Sequence, residues 1–177
     1  LFSRTKIFFL AFCAAFFPLI ASGEILTKDT VWKGEITVSE DILVPEGITL
    51  TILSGTVVKV LSSDSTKSDA EYITYSTAIT VRGRLEIEGS KGSPVVLGMN
   101  SDGKPDGWSG IVIDGGIAYI KSCRINNAET GIYIVKGSLE ISDSIVEKNR
   151  YGLVAHGRQS VVNMKNTQVT GNDYGIF

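Results

Sequence analysis

One histidine in the 177-residue chain could act as a general acid or base, and it lies in the segment Ala155-His156-Gly157-Arg158. Hydrolysis of a glycosidic bond needs a carboxylic acid and a carboxylate close together. Asp114 and Val135 precede His156 at two successive intervals of 21 residues. If 21 residues make one coil, Asp114 lies two strand spacings, ~10 Å, from His156 and beyond hydrogen-bond reach. His156, Arg158 and Asp114 are the candidate set of an enzyme alternative, but we predict an exposed turn for His156.

Neither the other aspartates nor Cys123 has the spacing of a metal-binding or reactive site. The segment from Asp102 to Gly107 lacks the alternating oxygen ligands of a calcium loop and is typical of a turn. Cys123 stands in register with Ser144 and Thr167, and no second thiol or suitably placed histidine would activate it. We therefore predict a buried cysteine, no metal site and no cofactor.

A row of apolar and aromatic residues is the candidate binding surface. The middle positions of one set of alternating triplets are Val112, Tyr133, Val154 and Phe177, and Tyr151 and Tyr174 align at the adjoining turn. Exposed aromatic rings in a row could stack on sugar rings, whereas a neighbouring subunit or a loop could equally cover such an apolar stripe. This face is the ligand-binding site that the sequence favours.

A repeat of 21 to 23 residues organises these positions. Gly110, Gly131, Gly152 and Gly175 recur at intervals of 21, 21 and 23 residues, and each precedes a short alternating run. Second and third registers contain Ala118-Tyr119-Ile120, Leu139-Glu140-Ile141 and Val162-Asn163-Met164, then Cys123-Arg124-Ile125, Ser144-Ile145-Val146 and Thr167-Gln168-Val169. Three strands per repeat predict stacked parallel coils, because no coil can bury its apolar face alone. The first and third members of each triplet are expected to point inward. Two aliphatic ladders are therefore predicted, one of Ile111, Ile132, Leu153 and Ile176 and one of Ala118, Leu139 and Val162. A sandwich or propeller does not predict such registered units.

The division of the chain follows from the repeat. Residues 24–107 carry the same alternation in a looser form, with loops predicted near 62–76 and 99–107. Residues 108–177 hold the regular coils, which we expect to continue beyond the end. Asn149 and Asn172 align one coil apart and predict a short ladder of inward amides, with Ala128 in the same column one coil earlier.

Residues 1–23 have the features of a secretory signal peptide helix. Arg4 and Lys6 precede an apolar run over 7–20, and Ala21-Ser22-Gly23 supplies small residues for cleavage. The run is shorter than the ~20 residues that a membrane-spanning helix needs. Without Arg4 and Lys6 the chain has 15 basic and 19 acidic residues, a net charge of −4, which does not favour nucleic acid or an anionic membrane. We expect export to the periplasm, the cell surface or the medium.

The chain resembles the right-handed parallel β-helix proteins of the pectin-lyase-like superfamily. The resemblance is in particular to the carbohydrate-binding and sugar-hydrolase type repeats of bacterial exported proteins. The residues that carry the resemblance are Gly131-Ile132-Tyr133-Ile134, Gly152-Leu153-Val154, Asn149, Asn172, the run from Val44 to Ile52, Ser93-Pro94-Val95-Val96-Leu97 and Gly107-Trp108-Ser109-Gly110-Ile111. The resemblance covers residues 31–177. It implies an all-β solenoid but no single activity, because lyases, hydrolases, adhesins, epimerases and non-catalytic scaffolds share this architecture.

The resemblance also indicates what an active member would need. Polygalacturonase-like members have clustered aspartates and a Gly-His-Gly segment, for which this chain offers only Ala155-His156-Gly157. Pectate-lyase-like members need carboxylates that hold calcium opposite a basic residue, and no aspartate cluster faces Arg124, Arg150 or Arg158. We therefore expect a non-catalytic scaffold that binds polysaccharide or another surface protein. The alternatives are the N-terminal part of a polysaccharide lyase or glycoside hydrolase, or a purely structural stalk, and self-association through an open C-terminal coil is expected.

Overall fold

The computed structural model describes residues 19–21, 24–61, 77–98 and 108–177, with only the backbone of residues 19–21 and 24. All regular structure in these ranges is β-strand. The strands are β1 (Leu19–Ala21), β2 (Glu24–Ile25), β3 (Thr30–Trp32), β4 (Glu35–Val38), β5 (Ile42–Val44), β6 (Thr49–Leu53), β7 (Val57–Val60), β8 (Ala78–Val81), β9 (Arg84–Glu88), β10 (Val95–Leu97), β11 (Gly110–Lys121), β12 (Cys123–Asn126), β13 (Thr130–Ser142), β14 (Ile145–Glu147), β15 (Tyr151–Ala155), β16 (Ser160–Lys165), β17 (Gln168–Thr170) and β18 (Tyr174–Ile176).

These strands stack in parallel on three faces of a right-handed β-helix, which confirms the predicted fold class. Face 1 holds β2, β5, β8, the first halves of β11 and β13, β15 and β18. Face 2 holds β3, β6, β9, the second halves of β11 and β13, and β16. Face 3 holds β1, β4, β7, β10, β12, β14 and β17. Each coil therefore contributes one strand segment to every face, and equivalent positions lie one above another.

The coils are held together by aliphatic ladders on the inner side of each face. On face 1 the ladder is Ile42, Ile79, Ile111, Ile132 and Leu153, none more than 1% exposed. On face 3 Val58, Leu97, Ile125 and Val146 lie in register and are fully buried. Burying an aliphatic side chain of this size contributes about 1.5–3 kcal/mol. The predicted ladder on face 1 is confirmed up to Leu153, but Ile176, which pairs with Leu153, is 61% exposed. In the predicted ladder on face 2, Ala118 and Leu139 are fully buried and Val162 is half-buried.

Two of the expected short strands are joined in β11 and again in β13. The first half of β11 pairs with β8 and its second half with β9, so one continuous strand supplies two faces. The pairing between β11 and β13 shifts register on both sides of Asp114, which lies opposite Lys136. Val135 is the extra residue at this bulge. The 21-residue interval predicted that Asp114, Val135 and His156 lie one above another on successive coils. That prediction was wrong for Asp114, which lies opposite Lys136 and not opposite Val135.

Several sequence predictions concern segments outside the described residues. The predicted loops near 62–76 and 99–107 lie there, as does most of the predicted leader helix. Leu19–Ala21, at the end of that leader, is not helical but forms β1, which pairs with β4. Ile42 and Ile79 are in register although 37 residues separate them, so extra chain is inserted between their coils.

The asparagine ladder is present and satisfies buried backbone groups at the turn between faces 3 and 1. The Asn149 Oδ1 atom accepts a hydrogen bond from the Ala128 amide at 3.0 Å, and its Nδ2 atom donates to Ile125 O at 3.3 Å. The same Nδ2 donates to Asn172 Oδ1 at 3.0 Å, and Asn172 Nδ2 donates to Val146 O at 3.0 Å. The ladder ends at Ala128, as the sequence predicted.

The recurring glycine follows directly from this ladder. A Cβ atom on Gly152 would lie 2.4 Å from Val169 Cγ1 and 2.9 Å from the Asn172 Nδ2 atom. Gly131, one coil before Gly152, is confined in the same way by Val146 and Asn149 of the coil that follows it. Glycine is required here because the inward amide and the neighbouring backbone occupy the space of a side chain.

Cys123 belongs to a column of small side chains on face 3, as predicted. Its backbone amide donates to Ser144 Oγ at 3.0 Å, and that hydroxyl donates to Ser142 O at 2.7 Å. Burial raises the pKa of the Cys123 thiol, because the thiolate would lose its hydration. The cysteine is therefore a packing residue.

We expect Asn149→Ala to lower the free energy of unfolding by about 2–3 kcal/mol, because it leaves buried backbone groups without partners. Urea unfolding followed by circular dichroism measures the change. Asn163→Ala, which removes an exposed amide, is the matched control and should change the same quantity by less than about 0.5 kcal/mol. Equal stabilities of the two variants would show that the ladder does not contribute.

Gly152→Ala should destabilise the fold by about 1–3 kcal/mol, because the added methyl group must displace Val169 and Asn172. A Cβ atom on Gly175, in the next coil of the same column, meets nothing within 4 Å. Thermal unfolding of Gly152→Ala and Gly175→Ala compares the two sites. A Gly175→Ala variant as unstable as Gly152→Ala would contradict the steric explanation.

Candidate functional site

The predicted binding row on face 1 is not a continuous exposed stripe. Val112 and Val154 are buried, at 7% and 2% exposure, and Tyr133 between them is half-buried. Of the two alternatives that the sequence left open, an exposed row and a covered apolar stripe, these two valines agree with the second. Period-two alternation decides on which side of a strand a side chain lies, but it does not decide whether that side is open to solvent.

The remaining predicted residues form an aromatic corner. The Tyr151 and Tyr174 rings stack with centroids 4.8 Å apart, and the Phe177 ring meets Tyr151 edge-on at 6.5 Å. The Arg150 guanidinium lies 5.3 Å from the Tyr151 centroid and donates to Glu129 Oε1 at 2.7 Å. The Glu129 carboxylate, by its charge and this hydrogen bond, raises the pKa of Arg150. Tyr174 and Phe177 remain exposed, at 49% and 64%.

The three residues of the enzyme alternative do not converge. His156 and Arg158 are exposed residues in the turn between β15 and β16, and the His156 carbonyl accepts a hydrogen bond from Ser160 Oγ at 2.9 Å. Asp114 lies at a different coil, where Arg82 Nε approaches Oδ2 at 2.9 Å and Lys136 Nζ approaches Oδ1 at 3.6 Å. Asp114 is thus the centre of an ion-pair cluster that bridges three coils.

Face 2 carries an open strip that the sequence reasoning missed. Its central column is Glu86, Tyr119, Glu140 and Asn163, which lie in register on β9, β11, β13 and β16. A second column, toward face 3, is Glu88, Lys121, Ser142 and Lys165. An open groove follows both columns. We call these two columns, with Arg84 beside Glu86, the Tyr119 strip.

Tyr119 is held in a defined setting within the strip. The Arg84 guanidinium lies 5.0 Å from the centroid of the Tyr119 ring, within the range of a cation–π contact. Arg84 Nη1 also lies 3.3 Å from Glu86 Oε1, so one guanidinium contacts both the ring and the first carboxylate. Tyr119 and Glu86 are half-buried, whereas Glu140 and Asn163 are exposed. The strip therefore combines a fixed aromatic ring with accessible hydrogen-bonding groups.

The strip could have been found from the sequence. Leu85-Glu86-Ile87, Ala118-Tyr119-Ile120 and Leu139-Glu140-Ile141 share the same alternation, and in each of them the middle residue faces outward. The predicted binding row consists instead of the middle positions of the first register, which are apolar. The signal was the alternation of a carboxylate, an aromatic ring and a second carboxylate at one position of successive coils.

Among residues 19–21, 24–61, 77–98 and 108–177, no group of three His, Cys, Asp or Glu side chains is placed to hold a metal ion. None of the secondary structure in those ranges is a helix of the length and apolarity needed to cross a membrane.

Comparison with known proteins gives one match. The family model of the pectate-lyase-like β-helix domain matches residues 23–144. No curated protein and no solved structure matches significantly. The match spans most of the chain and agrees with the parallel three-faced solenoid and its inward ladders. The chain therefore belongs to the pectate-lyase-like β-helix domain family.

Proposed function

We propose that this protein is an exported β-helix scaffold that binds polysaccharide along the Tyr119 strip without covalent catalysis. One observation carries the proposal: Tyr119 stands on an open face between two carboxylates, Glu86 and Glu140, on the coils before and after it. Family membership supports a carbohydrate-related role.

The chemistry of the strip suits a sugar polymer. An aromatic ring offers an apolar surface to the C–H face of a pyranose and a polar tip to its hydroxyl groups. Carboxylate oxygens accept hydrogen bonds from hydroxyl groups, and the Asn163 amide both donates and accepts. These groups recur at one position per coil, ~4.8 Å apart, so a linear polymer along the helix axis could meet one group after another.

The positions of the carboxylates favour binding over hydrolysis. Glu86 and Glu140 are two strand spacings apart, ~10 Å, which is slightly wider than the ~6.5–9.5 Å of inverting glycosidases. The Tyr119 side chain stands between them in register, where such an enzyme needs room for water and the scissile bond. Glu86 is in addition paired with Arg84. A general acid and a general base are therefore not suitably disposed.

The groove along the Tyr119 strip motivates the second candidate function. If the chain is the N-terminal part of a polysaccharide lyase or glycoside hydrolase, the Tyr119 strip would be the substrate-binding portion of a longer groove. Release of oligosaccharide or unsaturated uronate by a longer chain would support this candidate. A structural stalk without ligand is the third, and it predicts that no strip variant alters binding to any polymer.

The aromatic corner on face 1 is retained as a second proposed binding surface. Tyr151, Tyr174 and Phe177 are apolar and, at the last two positions, exposed. They could contact a glycan, another surface protein or a second copy of the chain. Self-association of residues 24–177 through the C-terminal coil stays a prediction.

Tyr119→Ala should weaken polysaccharide binding at least about tenfold, equivalent to about 1.4 kcal/mol, because the ring supplies the apolar contact. A polysaccharide-depletion screen selects the polymer, and isothermal titration calorimetry then measures the dissociation constant. Tyr119→Phe keeps the ring and should bind within about threefold of the unsubstituted chain, since at most one hydroxyl hydrogen bond is lost.

Tyr133→Ala on face 1 is the control for location. It should leave the dissociation constant unchanged if the Tyr119 strip is the site. Loss of binding in Tyr133→Ala but not in Tyr119→Ala would move the site to face 1, and product formation in the same incubations, followed by ultraviolet absorbance of unsaturated uronate, would overturn the non-catalytic proposal.

Export is proposed on the sequence of residues 1–23. Those residues, fused to an alkaline phosphatase that is active only outside the cytoplasm, should give activity in a bacterial host. Arg4→Glu combined with Lys6→Glu removes the basic start and should reduce that activity severalfold. A fusion that remains inactive while the reporter with a known leader is active would contradict the assignment.

A further inference from the structure

We infer that the Tyr119 strip takes an uncharged glycan, and that it does not take a polyuronate or another polyanion. The inference rests on the proposed function, because it names the chemical class of ligand for the same strip. It is carried by the arrangement of charge along the two columns.

Charges on the strip cancel. The acidic side chains are Glu86, Glu88 and Glu140, and the basic ones are Arg84, Lys121 and Lys165, so three negative charges face three positive ones. A surface that binds a polyanion concentrates positive charge, because its affinity and its rate of association depend on an excess of opposite charge. The strip has no such excess, and the whole chain has a formal net charge of −2.

The charges also cancel locally rather than in separate patches. Arg84 lies 3.3 Å from Glu86, and Lys121 stands in register beside Glu88 on the neighbouring coil. Each positive group at this end of the strip therefore has a carboxylate as a neighbour. A ligand carboxylate placed here would compete with a protein carboxylate for the same cation.

Glu140 decides the character of the central column. Its exposed carboxylate follows Tyr119 in register, and the next residue of the column is the neutral Asn163. A sugar on the Tyr119 ring would thus lie beside a negative charge at a site open to solvent. Hydroxyl groups can donate to that carboxylate, whereas a uronate or a sulfate ester would be repelled by it.

The test compares polymers of different charge on the full chain. A neutral glucan, a neutral mannan, polygalacturonate and a sulfated galactan are titrated at low and high salt. We expect at least one neutral polymer to bind with a dissociation constant that changes less than about twofold with salt, since no net charge is neutralised on binding. The two polyanions should bind at least about tenfold more weakly.

Reversal of one charge then tests the cause. Glu140→Lys leaves two negative and four positive side chains on the Tyr119 strip, a net charge of +2. Polygalacturonate binding at low salt should then rise about fivefold and be lost at high salt. Glu46→Lys makes the same change of charge at an exposed turn outside the strip and is the matched control. It should not reproduce the gain.

The outcomes separate this inference from the proposed function. If the unsubstituted chain prefers polygalacturonate or the sulfated galactan and Tyr119→Ala abolishes that binding, the inference is overturned while the binding function stands. Strongly salt-dependent binding of a neutral polymer, or an equal gain in Glu46→Lys, also contradicts it. If no polymer binds the unsubstituted chain, the proposed function itself fails and the inference fails with it.

Discussion

Parallel pairing of each coil with the next is the constraint on which everything else in this protein depends. Strand backbones ~4.8 Å apart require that residues at equivalent positions lie one above another. Apolar inward residues at equivalent positions of successive coils therefore pack on one another as a ladder. The inward ladders of isoleucine, leucine and valine on the three faces form one continuous buried cluster. No single coil could bury that surface without its neighbours.

The same constraint explains the polar and glycine residues at the turns. A turn repeated in every coil leaves backbone groups unpaired at the same place each time, and Asn149 and Asn172 satisfy them with amides that also bond to each other. The amides then occupy the volume in which the glycine of the preceding coil would carry a side chain. The inward asparagine of one coil thus requires a glycine in the coil before it. The asparagine column ends at Ala128, which has no side-chain amide.

On the outer side of the coils, the strand register brings residues that are distant in the chain together on one surface. Glu86, Tyr119 and Glu140 are 33 and 21 residues apart in the chain, yet the structure makes them neighbours on face 2. Arg84 contacts both the ring and the first carboxylate and so fixes their relative placement. By contrast, Asp114 is tied to Arg82 and Lys136, and His156 lies at a different coil. These placements are the basis of the proposal that the protein binds its ligand along an extended strip.

The sequence by itself determined the fold, the inward ladders, the asparagine column, the burial of Cys123 and the exposed turn at His156. It could do so because period-two alternation and a fixed repeat specify which residues face inward in every coil. Only the tertiary structure decided that Val112 and Val154 are buried, that a bulge sets Asp114 against Lys136, and that Tyr119 and Glu86 are half-buried beside an exposed Glu140. Solvent exposure of an outward side chain depends on neighbours that are distant in the chain. Register across a bulge depends on the backbone path at the corner. The local alternation of residues specifies neither the exposure nor the register.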